Sequence, residues 1–463
     1  MSTSNTSSMD PVLDPRAAAE LREKRKKTIE SSLSKRHRKE KVFKFFGFSA
    51  VITGLFFVAL LFGSILIKGL PSFWQSSMTV PVYFDPAIIT AGPKPLQKAG
   101  ESPAHYQERY VAWQTDMGMV DWDALLANGL IAKDKALESK RDDLTSLYTS
   151  SEAYRLRDMV FADPSLVGKQ QDIKILADAN VDVWLAGNID RSLPDEQQQL
   201  SPEVRQLADQ LKAQGIITNS FNTSIFSNPD SRSSPATSGL AGAFMGSLFM
   251  MMIVIIISIP IGVASAIYLE EFAPKNWITD VVEVNINNLA AVPSIVFGLL
   301  GASIFIGWMH LPLSAPLVGG LVLSLMTLPT VIITTRASLK AVPPSIRQAA
   351  LGLGASRLQT VFHHVLPLAL PGILTGAIIG VAQALGETAP LLLIGMSAFV
   401  ASVPATPLDQ STALPVQIFL WQGNELRNFF EGRTAAAIIV LLALMIGLNS
   451  LAIWLRKKFE VRW

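Results

Sequence analysis

No cysteine occurs among the 463 residues. Its absence excludes disulfides, thiolate metal sites and a cysteine nucleophile, and leaves the redox compartment undecided. Charge is scarce as well: Asp, Glu, Lys and Arg make up 16% of the chain, against about a quarter in a soluble domain. The five histidines form no metal-binding set, because His363 and His364 are adjacent and so diverge on a helix, and no H-E-x-x-H occurs. A G-x-x-x-x-G-K-[ST] phosphate loop is missing too, so nucleotide-driven work has to come from a partner. No nucleophile elbow or catalytic constellation emerges, and the chain does not read as an enzyme. What is abundant is apolar: 49% of residues are hydrophobic and the mean hydropathy is +0.35. These residues collect in runs of about 20 or more, long enough as helices to cross a hydrocarbon core of roughly 30 Å. Lipid is the solvent for much of the chain.

Residues 1–41 are polar and rich in Ser, Lys and Arg. They read as a disordered cytoplasmic tail that fixes orientation, with a nucleic-acid-binding or lipid-binding arm as the alternative. The apolar run Phe45 to Ile67 lacks a cleavage site and is too long for a signal-peptide core, which makes 42–69 a retained anchor. Residues 70–238 differ in kind: Trp113, Trp122 and Trp184 sit among many charges and turn residues. Helix-like segments at 136–156 and 202–214, with short β-branched runs, predict a mixed α/β or mainly helical domain. It is long enough to bury its own core. Its acids and bases read as solvated surface. The Ser/Pro-rich stretch Ser227 to Ser238 leads into the next apolar run.

Residues 239–455 are nearly all membrane. The expected spans are Leu240–Leu269, Ile286–Met309, Leu317–Thr335, Ile373–Met396 and Ala435–Leu455, six with the anchor. Gly242-x-x-x-Gly246 predicts close packing of the second span on a neighbour. The fold class is thus an all-α polytopic membrane protein with an extracytoplasmic domain inserted after the first helix. Six crossings put both termini, the tail 456–463 and the segment Arg336 to His364 inside. That segment carries Arg336, Lys340, Arg347 and Arg357 with no acid, as the positive-inside rule asks. The loop Glu270 to Glu283 is acidic and gives no support.

The most informative inside stretch is Arg347-Gln348-Ala349-Ala350-Leu351-Gly352-Leu353-Gly354, ending at Val365-Leu366-Pro367. Small residues at Ala349, Ala350 and Gly354 let another surface approach the backbone, and Gly354 permits a sharp turn. Two short rigid helices transmit displacement, whereas a floppy loop does not.

This stretch, 336–367, resembles the EAA loop of ABC-importer permeases, E-A-A-x-x-x-G-x9-I-x-L-P. Ala349, Ala350, Gly354, Leu366 and Pro367 match at full spacing; Gln348 replaces the Glu and His364 the Ile. Three further runs are similar to phosphate-importer permeases: Ala266 to Phe272, Asn288 to Leu299, and Ala384 to Leu392. The Gly386-Glu387-Thr388-Ala389-Pro390 part of the last resembles the PstA type rather than its PstC sister. The resemblance covers 239–455 and says almost nothing of 70–238.

The resemblance implies the six-helix ABC-importer permease fold, a bacterial inner-membrane location and a path for inorganic phosphate. It implies an ATPase dimer docked on the loop, a PstC-type second permease and an extracytoplasmic phosphate-binding protein. No cofactor of its own is expected, ATP being bound by the ATPase, and no nucleic acid. Within the expected fifth span Glu387 needs an explanation, since a carboxylate in lipid is costly and marks function by default. Hydrogen phosphate carries an O–H that a carboxylate can accept, whereas ionised sulfate has none. Alternatively, Glu387 forms a buried pair with an Arg. Members of the family often carry that Arg four residues earlier, but Gln383 stands there. Thr388 and Ser294, the latter beside Pro293 at a freed helix start, complete the expected path, although a Pro kink for packing is the commoner reason for such a start. A permease for sulfate, molybdate or an amino acid, or a membrane sensor with a ligand-binding outer domain, remains the rival reading.

Overall fold

Helix α1 runs unbroken over Pro15–Gly69, 55 residues, so the apolar run is only its second half. The computed structural model describes residues 15–397 and 400–459, and the chain divides into two units, residues 1–64 and 65–463. Over 15–41 the disordered tail expected from the sequence is corrected to helix. Ala, Glu, Lys and Arg are strong helix formers, and no glycine or proline interrupts residues 16–46. Glu23–Lys27 at 3.2 Å and Glu40–Lys44 at 2.5 Å pair one turn apart. Residues 1–14 and 460–463 of the two expected tails lie outside the described residues.

The inserted domain is mixed α/β. Strand β1 (Trp74–Tyr83) is central between β2 (Gln170–Leu176) and β3 (Ile217–Phe221), all antiparallel. Ser77 faces Leu176 on one side, and Met78 faces Ile217 on the other. Alternation along β1 sends Met78, Val80 and Val82 into the core. Helices α2 (Pro103–Gly118), α3 (Trp122–Lys133), α4 (Ser150–Ala162), α5 (Ala179–Ala186) and α6 (Pro202–Ala213) complete it. Trp113, Trp122, Leu156, Trp184 and Leu207 share its single apolar core. Side chains of Ser102, Asp121, Asp178 and Ser201 accept from backbone N–H groups at helix starts, each such cap contributing about 1 kcal/mol. The helix expected over 136–156 is broken: α4 starts only at Ser150. Leu147 and Tyr148 are drawn to the sheet instead, Asp178 N donating to Leu147 O at 2.9 Å while Tyr148 bridges Ala177.

Beyond the inserted domain come α7 (Ala241–Ile267), α8 (Trp277–Ala290), α9 (Ser294–Gly301) and α10 (Pro316–Lys340). Then follow α11 (Pro344–Gly352), α12 (Arg357–Thr360), α13 (Leu366–Gly386), α14 (Leu414–Gln422) and α15 (Arg427–Phe459). Among the described residues five helices are long and apolar enough to cross a membrane, or six if one bent pair counts as a span. That pair is the expected span Ile286–Met309, here split and bent by 101° between α8 and α9. Pro293 stands at the break as the residue before α9, and it has no N–H to carry a helix through. The expected span Ile373–Met396 also ends early, at Gly386. A short turn, Ala389–Leu391, and a wide turn, Leu392–Met396, come next.

Helices α7, α10 and α13 form the centre of the bundle, burying Met250, Met251, Val254, Val318, Val322, Val381 and Ala384 together. The Gly242-x-x-x-Gly246 face packs closely on a neighbour, and that neighbour is a loop. A Cβ at Gly246 would lie 2.2 Å from Thr412 O, so the glycine admits the loop before α14.

Candidate functional site

Helix α7 has 27 residues, which sets its ends about 40 Å apart. At its first end the inserted domain is joined to the bundle. There Arg433 of α15 is 2% exposed. Its guanidinium donates to Ser238 O at 3.0 Å, Ala236 O at 3.1 Å and Gln75 Oε1 at 2.6 Å. Arg433 therefore ties the start of β1, the lead into α7 and α15. Asp182 lies close by, accepting from Ser76 N at 2.7 Å. Burial pushes its carboxyl above the usual range, although the Ser76 N–H and the Arg433 charge pull the other way. A cavity of about 740 Å³, lined in part by Asp182, Lys212 and Arg433, opens beside this joint.

The motif segment occupies the other end. Proline at the first turn starts α11, and Gly354, with φ +88°, turns the chain after it. Ser356 then opens α12 with a capping box: its Oγ accepts from Gln359 N, and Gln359 Oε1 accepts from Ser356 N at 2.9 Å. A wide turn over Val361–Val365 leads into α13. Ala350 is buried, and Val361 and Val365, with the half-buried Ile346, pack on Ile267 and Leu339. Outward, Gln348, Ala349 and Gly354 are exposed, as are Leu351, Leu358, Phe362 and above all Leu353, at 91%. Leu366 and Pro367 are half-buried at the start of α13.

An ion-pair network fastens this end. Arg336 at the end of α10 pairs with Glu270 at 3.3 Å and with Glu283, and Lys340 reaches Glu270 at 3.6 Å. Arg347 of α11 pairs with Glu271 at 2.6 Å. The acids of the Glu270–Glu283 loop, which seemed uninformative by charge counting, are thus partners of the very cations that mark the neighbouring segment. Sequence reading missed their role, and it also missed Arg433. The available signal was the same for both: charges at or inside the ends of apolar runs.

The expected path residues fall in three places. Glu387 is half-buried in the break between α13 and the Ala389–Leu391 turn, with extended backbone at ψ 126°. Thr388 follows it, half-buried, and Gln383 is exposed one turn earlier. Ser294 is half-buried at the first position of α9. That helix packs on the turn after Glu387, since a Cβ at Gly298 would stand 2.7 Å from Pro390 Cα. The structure therefore draws Ser294's helix and the Glu387 break together. Among the described residues it brings no Lys or Arg within 4.0 Å of Glu387.

Comparison with known proteins gives two matches to families along the chain. Residues 30–195 match a domain of unknown function, DUF3333, and residues 258–462 match "Binding-protein-dependent transport system inner membrane component". The phosphate transport system permease protein PstA of Yersinia pestis is 34% identical over 233 residues, 48% of this chain and 75% of that protein. The probable ABC transporter permease protein YqgI of Bacillus subtilis (strain 168) is 34% identical over 182 residues, 38% of this chain and 60% of YqgI. A structure of the MetNI methionine ABC transporter in inward-facing form aligns with 48% of this chain and 96% of its own, at 18% identity and a TM-score of 0.36. The chain belongs to the family of binding-protein-dependent transport system inner-membrane components, and is a multi-pass permease subunit of an ABC transporter.

Proposed function

We propose that this chain is a PstA-type subunit forming half of the path for inorganic phosphate in an ATP-driven importer. The observation that carries the reading is the pair of short helices at 344–360. A proline starts the first helix and a capping box the second, the pair and the turn after it present Leu351, Leu353, Leu358 and Phe362 to solvent, and an ion pair anchors the first helix to the bundle. Exposed apolar side chains on a rigid platform suit a protein partner. In this reading the partner is an ATPase dimer on the cytoplasmic side, which binds the ATP, and both termini are cytoplasmic. A PstC-type permease completes the path. An extracytoplasmic phosphate-binding protein delivers the anion to the end that carries the inserted domain. Nucleotide-driven closure of the ATPases pushes on α11 and α12, and the bundle reorients around the solute. Glu387 accepts the O–H of hydrogen phosphate, with Thr388, Gln383 and Ser294 beside the route; the family resemblance of the Gly386 to Pro390 run supports phosphate over other oxyanions.

Co-purification with the ATPase, followed by ATP hydrolysis measured with binding protein and each solute in turn, tests this. Stimulation by phosphate and not by sulfate is the expected result. Stimulation by sulfate, molybdate or an amino acid in place of phosphate would assign the chain to another solute.

A further inference from the structure

We infer that Arg347 is a positioning residue that sets how much solute moves per ATP hydrolysed, by tying α11 to the ends of α7 and α10 at once. This rests on reading α11 and α12 as the ATPase contact. Arg347 is the one charged residue of α11. The helix's inward apolar side chains are the small Ala350 and the half-buried Ile346, which packs on the cluster of Ile267, Leu339 and Val342, while Gln348 and Ala349 face away. Apolar contact is non-directional and does not by itself fix the orientation of the helix.

Arg347 supplies the missing grip. Nη1 donates to Val342 O at 2.8 Å and Nη2 to Leu339 O at 2.9 Å. These carbonyls belong to the end of α10 and the residues just after it, where a helix's last carbonyls have no N–H four residues on and a cation is favoured. Nη2 also donates to Glu271 Oε1 at 2.6 Å, and Nε reaches the same carboxylate at 3.2 Å. Glu271 lies in the wide turn that closes α7. A planar guanidinium can hold two carbonyls and a carboxylate in fixed directions, whereas an ammonium offers a point charge without that fork. Meanwhile Glu270 with Arg336 and Lys340 joins α7 to α10 independently of Arg347. The pair α7–α10 therefore moves as a unit, and the Arg347 fork is the charged link between that unit and α11.

The test uses the complete transporter in proteoliposomes, with labelled phosphate uptake and ATP hydrolysis measured on the same preparation. Arg347→Gln should keep hydrolysis while lowering phosphate moved per ATP by about tenfold, the size of effect expected for losing a charge-assisted bond. Glu271→Gln should lower the ratio in the same direction, Arg347→Lys should retain part of it, and the exchanged pair E271R/R347E should recover part of what either reversal alone loses. Should Arg347→Gln fail to assemble, Glu271→Gln and Arg347→Lys carry the test. A purely structural role would reduce hydrolysis and uptake in proportion, leaving the ratio unchanged, and that result overturns the inference. If the ATPase does not associate with the unaltered chain, the reading of the loop as an ATPase contact is wrong and the inference falls with it, whereas stimulation by another solute moves the same ratio measurement to that solute.

Discussion

The two ends of the bundle are built on opposite plans. At the inserted-domain end one cation, Arg433, is fully enclosed and satisfied by two backbone carbonyls and a side-chain amide. At the motif end several cations meet carboxylates in partly exposed pairs, and apolar side chains stand free in solvent. The difference is energetic. A buried guanidinium cannot leave its partners without stranding a charge away from water, whereas exposed apolar side chains such as Leu353 stand ready to be covered by a partner. One end is a closed joint, and the other is a fastened platform whose outer face stays open.

The comparison can be broken most easily at Arg433. Replacing it with Gln should destabilise the joint by roughly 3 kcal/mol or more, because buried acceptors at Ser238, Ala236 and Gln75 lose their donor at about 1–3 kcal/mol each. Thermal unfolding of the purified chain reads this directly; an unchanged midpoint would mean that the joint is not held by this residue. At the other end Leu353→Asp should leave stability within about 0.5 kcal/mol. Under the proposed function it should also weaken ATPase association by roughly tenfold or more, as loss of an exposed apolar anchor does, measured by co-purification. Glu387→Gln, between the two ends, should reduce phosphate uptake by about tenfold if the carboxylate accepts the anion's O–H. Uptake equal to that of the unaltered protein removes Glu387 from the path.

The smallest effect concerns pH. Arg109 foremost, and then the Lys98 N–H, hold the Glu101 carboxyl down to about 2 from 4.5. A lowered carboxylate stabilises the fold above its unfolded value, and that contribution is lost as pH falls from 4.5 toward 2. Asp182 and Glu152 are shifted the other way by burial. Their contribution is present at low pH and is lost as pH rises through their elevated values. Glu101→Gln should flatten the acid side of the midpoint-against-pH curve of the inserted domain and leave the neutral side alone. An unaltered acid limb would show that the Arg109 fork does not hold that segment.

Much of this was legible in the sequence because lipid imposes a simple pattern. Runs of apolar residues located the membrane helices, and the motif positions Ala349, Ala350 and Gly354 located the paired short helices. The breaks were harder. Pro293 and Gly386 stand in apolar surroundings that continue past them, so hydropathy runs on where the backbone turns. The N-terminal tail was misread because composition reports polarity, while helix continuation depends on the absence of breakers next to an already formed helix. The charged contacts were hidden for another reason. Glu271 and Arg347 are 76 residues apart, and no local pattern says which surface charge will find a partner. Arg433 was equally invisible, since its enclosure depends on β1 and on the lead into α7, both far off in the chain.

The absence of native cysteine allows one direct measurement of the central claim, that the 344–365 segment meets the motor. A single Leu353→Cys substitution in the assembled transporter should cross-link to the ATPase subunit, and should be shielded from impermeant thiol reagents added outside intact cells. Labelling from the outside, or a cross-link that never contains the ATPase, would contradict the account.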